Sequence, residues 1–240
     1  MANDFLHAVV TGGTGALGIG VVGLLVRNGW RVTIPLYKED ELDGFPLREE
    51  SRVGTAVAGD LADEAQAVRF FREEVSGPVH ASIHLAGGFA MASLEKTSAA
   101  ELERMLRMNA VSAYLCCREA ARRLRENDPD ERGVRGRIVN VAAGPGVAPE
   151  RGAGMSAYTI SKAAVAAMTQ ALAAELRPDG IWVNAVAPSI IDTPANRAAM
   201  PEADHARWAT PEDLARTIAY LASPENAVVT GGLVPVGGHT

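Results

Sequence analysis

The sequence lacks the cysteine framework of a disulfide scaffold, the long uncharged apolar run of a membrane span and the basic stripe of a nucleic-acid surface. Only two cysteines occur among its 240 residues. Cys116 and Cys117 are adjacent within a helical pattern, which offers neither a disulfide framework nor the spacing of a metal knuckle. They read instead as two small apolar residues in a packed helix. No uncharged apolar run reaches the roughly 18 residues of a membrane-spanning helix. The start, Met1-Ala2-Asn3-Asp4, carries acid rather than base, which is not the pattern of a signal peptide. A cytoplasmic protein without a membrane partner is the expectation. Lysine and arginine are mostly scattered, Arg122-Arg123 being an adjacent pair, at a formal net charge of −6, so no long basic stripe is available to track a phosphate backbone and no nucleic-acid partner is expected. Aromatics are scarce at 5%, whereas hydrophobic residues make up 48% and glycine occurs 24 times. That is the composition of close-packed βαβ units. With no linker-like stretch and no internal repeat, the chain reads as one domain over 1–240.

What is present alternates regularly. An apolar run at 8–10 ends in Thr11-Gly12-Gly13-Thr14-Gly15 and is followed by an amphipathic segment at 16–28, the pattern of strand, tight turn and helix. Further strands are predicted at 32–36, 54–58, 79–85, 137–141, 181–187 and 233–236. Helices are predicted at 62–75, 98–126 and 156–176, and one more opens at Thr210-Pro211-Glu212-Asp213, which supplies an N-cap, an N1 proline and first-turn acids. Loops are predicted at 144–154 and 189–209. Seven strands alternating with about six helices describe an α/β, Rossmann-type doubly wound, mainly parallel sheet with helices on both faces. Ligands of such sheets bind outside the carboxyl ends of the strands.

Two groups of residues carry chemistry. Gly12, Gly15 and Gly18 in the first turn allow a pyrophosphate to approach the backbone, while the free N–H groups of the following helix attract the anion. Tyr158-Thr159-Ile160-Ser161-Lys162 places a phenol and an ammonium four apart on one helix face. A cation beside Tyr158 is expected to stabilise the phenolate and lower its pKa, suiting it to proton transfer.

Together these motifs resemble the short-chain dehydrogenase/reductase family, over the whole chain. The resemblance implies that Gly12, Thr14, Gly15, Ala16, Leu17 and Gly18 form the dinucleotide turn, although Ala16 stands where the commonest version has glycine. Gly59-Asp60-Leu61 is similar to the segment whose acid contacts adenine, and Ala86-Gly87 to the end of an Asn-Asn-Ala-Gly motif in which His84 and Leu85 replace both asparagines. Asn109 matches a helix asparagine that holds a water in the proton relay. Residues 183–188, ending in Pro188, resemble the strand and turn beside the nicotinamide, with Ile190, Ile191 and Thr193 following; the threonine contacts the carboxamide. Tyr158, Lys162 and Asn109 are the implied catalytic set, and the family implies a homo-oligomer, tetramer or dimer.

The chain departs from that pattern at one telling place. Residues 136–143 align with the strand that ends in the family's carbonyl-polarising serine, and Ala143 stands in its place. Ser156 is the nearest serine in sequence. The branch typified by dihydropteridine reductase also lacks this serine, and Ala86-Gly87-Gly88-Phe89 and Gly154-Met155-Ser156-Ala157-Tyr158 resemble its loops. The expected activity is therefore hydride transfer to or from a small carbonyl or conjugated substrate, with a quinonoid dihydropterin or quinone, or a non-catalytic dinucleotide sensor, as alternatives. Leu36 stands where a cofactor-selecting aspartate would be, with Tyr37 and Lys38 beyond it. That favours NADPH over NADH, although Lys38 reads equally as a solvated lysine beside Glu39 and Asp40. Phe89, Met155, His205 and Trp208 are candidates to border the substrate.

Overall fold

Strand β1 (His7–Thr11) is buried along its whole length and alternates its contacts: Ala8 and Val10 face one core cluster and Val9 another. This period of two is what a central strand with helices on both sides requires. The computed structural model describes residues 5–238; the start at 1–4, read above as no signal peptide, lies outside them. After β1 come α1 (Ala16–Arg27), β2 (Arg31–Leu36), β3 (Val53–Val57), α2 (Glu64–Arg69), β4 (Ala81–His84), α3 (Ala99–Met105), α4 (Ser112–Arg125), β5 (Gly136–Val141), the short α5 (Gly144–Val147), α6 (Ser156–Leu176), β6 (Ile181–Pro188), α7 (Pro194–Ala199), α8 (Pro211–Ala222) and β7 (Leu233–Val236).

The seven strands form one sheet in the order β3-β2-β1-β4-β5-β6-β7, and every neighbouring pair is parallel. The order reverses between β1 and β4, so a crevice opens at their carboxyl ends. Val21 and Leu25 of α1 pack with Leu214 and Ile218 of α8 on one face. Cys116, Ala120 and Leu124 of α4 pack with Ala173 and Leu176 of α6 on the other. The two thiols are thus core residues, and burial pushes that of Cys117 up to about 12. Among the described residues no helix is long and apolar enough to cross a membrane.

Three expectations are corrected in detail. The single helix at 98–126 is α3 and α4 joined by a π-helical turn, Leu106–Val111. Each side keeps its own helical stripe, and the one-residue slip between them is too small to stand out in an apolar pattern read over a few turns. The helix at 62–75 likewise ends in a π turn, Phe70–Glu74. The predicted loops at 144–154 and 189–209 contain α5 and α7, and Thr193 caps α7 by accepting the N–H of Asn196 at 3.2 Å.

Candidate active site

The turn between β1 and α1 is built against the end of β4. Gly12 has a φ of 66°, and a side chain there would begin 2.8 Å from the backbone nitrogen of Ala86, so only glycine fits both the turn and the approach. Helix α1 starts at Gly15 with no side-chain cap and no acid in its first turn. By contrast, α8 opens with a reciprocal Thr210–Asp213 capping box. The N–H groups at the start of α1 therefore lack the partner that a capped helix has, which fits an anionic group held at that point. Leu17, Leu61 and Ile191 are half-buried against the core clusters. The Asp60 carboxylate accepts from the Ala62 N–H at 2.8 Å and from Arg107 at 2.9 Å.

Across the crevice, α6 presents Tyr158 and Lys162. Lys162 is 7% exposed and donates to the carbonyl of Val141, the last residue of β5, at 2.8 Å. A side chain at Gly87 would run into Oδ1 of Asn109 and begin 3.5 Å from Lys162 Nζ. The loop after β4, the π turn and α6 thus meet at one point. Burial lowers Lys162 to about 8 and raises Tyr158 to about 12. The expected lowering of the tyrosine is corrected: burial is the cause of its upward shift, and the Lys162 ammonium is directed to the Val141 carbonyl instead. Tyr158 is a phenol throughout the neutral range, the form that donates a proton.

Asn109 is 1% exposed and sits in the π turn. Its Oδ1 accepts the Gly88 N–H at 2.9 Å, and its amide donates to the Gly88 carbonyl and to Ser161 Oγ, both at 3.0 Å. Both side-chain N–H groups are therefore spent on protein partners, and the side chain clamps the loop after β4 to α6. Ser161 in turn donates to the Tyr158 carbonyl at 2.7 Å. Ser161 was not singled out in the sequence, although it lies inside the quoted Tyr-to-Lys segment.

Phe89, on the clamped loop, meets the Tyr158 ring edge-on with centroids 4.9 Å apart. Met155 caps α6 and bridges to Ala92. Trp208 is 6% exposed, with its ring tilted against that of His205, and belongs to the core. Ala143 is buried at the start of α5 and brings no hydroxyl. Pro188 ends β6 in the core, Ile190 is exposed beside it, and Thr193 follows at the head of α7.

Lys38 Nζ lies over the Tyr37 ring, 5.6 Å from its centroid. An acid does reach the end of β2, from a residue the sequence did not single out: Glu41 accepts from the backbone N–H groups of Tyr37 at 2.7 Å and Lys38 at 3.3 Å, and from Thr14 Oγ1 at 3.0 Å. Among the described residues no cluster of three metal-ligating side chains occurs.

A family model described as Enoyl-(Acyl carrier protein) reductase matches residues 13–239. Galactitol 2-dehydrogenase from Rhizobium johnstonii is 32% identical over 97% of this chain and 94% of its own. A short-chain type dehydrogenase/reductase from Picea abies is 32% identical over 96% and 90%. The solved 3-ketoacyl-(acyl-carrier-protein) reductase from Brucella melitensis, complexed with NADH, superimposes with a TM-score of 0.83 at 25% identity over 97% of both chains. The half-buried Tyr158 and buried Lys162 on one helix, the uncapped glycine turn, the all-parallel sheet and these matches together place the chain in the short-chain dehydrogenase/reductase family.

Proposed function

We propose that this protein transfers hydride between a nicotinamide dinucleotide and a small carbonyl or conjugated substrate, with Tyr158 as the proton donor in the reductive direction. The observation that carries the reading is the pair on α6: Tyr158, with its ring against Phe89, and four residues on the buried Lys162 ammonium, held by the Val141 carbonyl at the end of β5 and beside Gly87 after β4.

The dinucleotide, when bound, supplies or accepts the hydride. Its diphosphate would lie on the turn of Gly12, Thr14, Gly15, Ala16, Leu17 and Gly18, with Asp60 and Leu61 toward the adenine. Ala86, Gly87, Pro188, Ile190, Ile191 and Thr193 would line the nicotinamide end. Tyr158 gives its proton to the oxygen or nitrogen that gains charge, and Lys162, titrating near 8, steadies the resulting phenolate and passes a proton back. Asn109 acts as a positioning residue through Gly88 and Ser161.

The substrate reading has a second form. Ala143 offers no hydroxyl to polarise a carbonyl, and Phe89 places an exposed aromatic face beside Tyr158. Both suit an electron-poor, flat acceptor such as a quinone or quinonoid dihydropterin, which needs less polarisation than a simple ketone. We further take the chain to act in the cytoplasm as a single domain and as a homo-oligomer, tetramer or dimer; Met108, Val111, Tyr114 and Ile160 are large apolar residues exposed on the π turn, α4 and α6, and light scattering tests the oligomer. The activity is tested by following NADH and NADPH oxidation at the nicotinamide absorbance against ketones, α-diketones, quinones and quinonoid dihydropterin. Turnover of at least one acceptor is expected; dinucleotide binding without turnover on the whole panel would favour a sensor.

A further inference from the structure

We infer that Glu41 is the residue that selects the cofactor, holding the adenosine ribose by its 2′-hydroxyl and favouring NAD(H) over NADP(H). The inference rests on the proposed function, because it places a dinucleotide on the glycine turn.

Three donors converge on the Glu41 carboxylate from two different segments. The backbone N–H groups of Tyr37 and Lys38 follow β2 and meet Oε1 at 2.7 and 3.3 Å. The Thr14 hydroxyl, from the glycine turn itself, meets Oε2 at 3.0 Å. A diphosphate at the start of α1 puts the adenosine ribose between that turn and the end of β2, where Rossmann folds bring an acid about 20 residues beyond the glycines. Leu36 leaves the usual place for it without an acid and is itself 2% exposed in the core. Glu41, on the 3-10 turn Glu39–Leu42, reaches back to supply one.

An ionised carboxylate has about four acceptor positions, and three are occupied here. One remains for the O–H of a ribose, so a neutral diol joins the cluster without displacing anything. A 2′-phosphate is in the opposite position. It accepts hydrogen bonds and donates few, it needs the donors that Glu41 already holds, and it brings negative charge against a carboxylate. Glu39 and Asp40 add acids to the same turn, while the Lys38 ammonium is over the Tyr37 ring. NADP(H) must expel Glu41 before it can use these groups.

The test is direct titration of the purified full chain with NADH and with NADPH, read by energy transfer from protein tryptophan to the reduced nicotinamide and needing no substrate. The parent should bind NADH at least about tenfold more tightly than NADPH, since like charges set against each other cost that or more. Glu41→Gln, which keeps the shape and removes the charge, should bring the ratio to within about threefold. Glu41→Ala, which frees all three donors, should move it further toward NADPH; circular dichroism checks that both variants fold. Equal or tighter NADPH binding by the parent, or an unchanged ratio in folded variants, overturns the role of Glu41 and leaves the proposed hydride transfer standing. Binding of neither dinucleotide by the parent overturns both.

Discussion

Asn109 and Gly88 are hydrogen-bonded to each other in both directions, the asparagine amide taking the N–H of Gly88 at 2.9 Å and giving to its carbonyl at 3.0 Å. A side chain thus pairs with a loop as a neighbouring strand would. The loop so held carries Phe89, whose ring meets Tyr158. Asn109→Ala leaves the Gly88 groups and Ser161 Oγ without this partner in a buried place. A loss of about 1–3 kcal/mol is expected, read as a lower urea midpoint with an unchanged denaturant slope. Unaltered stability would mean that the clamp is replaced by water at no cost.

Tyr158→Phe removes the phenolic proton and keeps the ring against Phe89. Turnover of any accepted substrate should fall by about 10²–10⁴. Dinucleotide affinity, measured by titration, should change little. A variant as fast as the parent would show that the proton comes from elsewhere.

Lys162 has its pKa lowered to about 8 by burial, and Tyr158 has its pKa raised to about 12 for the same reason. In the reductive direction the pair works as ammonium and phenol. kcat/KM, which reports the free enzyme, should therefore fall as pH rises through about 8. The limb belongs to Lys162 and not to Tyr158. Lys162→Arg, whose guanidinium stays charged throughout this range, should remove the limb whatever it does to the absolute rate. A limb that persists unchanged in the arginine variant would assign it to another group.

The parts legible in the sequence are those whose cause is local. The β1 turn is written in Gly12, Gly15 and Gly18, and the active helix in the four-residue spacing of Tyr158 and Lys162. Helix α7 is equally legible, because Thr193-Pro194 repeats the cap-and-proline signal of Thr210-Pro211 that opens α8. The remainder depends on distant segments coming together. The π turn at Asn109 is stabilised by Gly88, 21 residues away, and the reach of Glu41 to Thr14 spans 27. The tyrosine's upward shift also depends on its surroundings: a Tyr–Lys spacing shows the ammonium but not how much water the fold removes.

His7 and His84 are the acid-sensitive points of the fold. Both are buried, at 1% and 3% exposure, and desolvation lowers each to about 4, the nearby Arg31 adding to the effect at His7. His84 is neutral between Ser82 Oγ and Asn140 Oδ1, each 2.9 Å away. Since their folded values lie below the unfolded 6.5, the unfolded chain binds the extra protons between 6.5 and 4. The associated stability is complete above 6.5 and is lost as pH falls toward about 4, by roughly 3 kcal/mol for each histidine. Urea unfolding between pH 7 and 4 should show this slope. His84→Asn should remove about half of it and leave the share of His7; an unchanged slope would show that His84 titrates normally in the fold.

Ala143 decides how hard the site can pull on a carbonyl. Its backbone is extended, it is 4% exposed, and it stands at the junction of β5 and α5 next to the strand whose Val141 holds Lys162. Serine differs from alanine by one oxygen, so Ala143→Ser tests polarisation with little change of shape. A preorganised hydroxyl donor is worth about 10²–10³ in rate where charge builds on a carbonyl oxygen. For a simple ketone, whose barrier is dominated by that charge, the variant should gain in this range or somewhat below it. For a quinone or quinonoid acceptor, which already draws electrons into its own conjugated system, the gain should stay within a few-fold. The two substrate classes must therefore be assayed side by side on the same pair of proteins. Divergent gains mean that Ala143 tunes the parent toward electron-poor acceptors. Equal large gains would mean that the parent is a carbonyl reductase short of one hydrogen bond, and that Phe89 rather than Ala143 sets its choice of substrate.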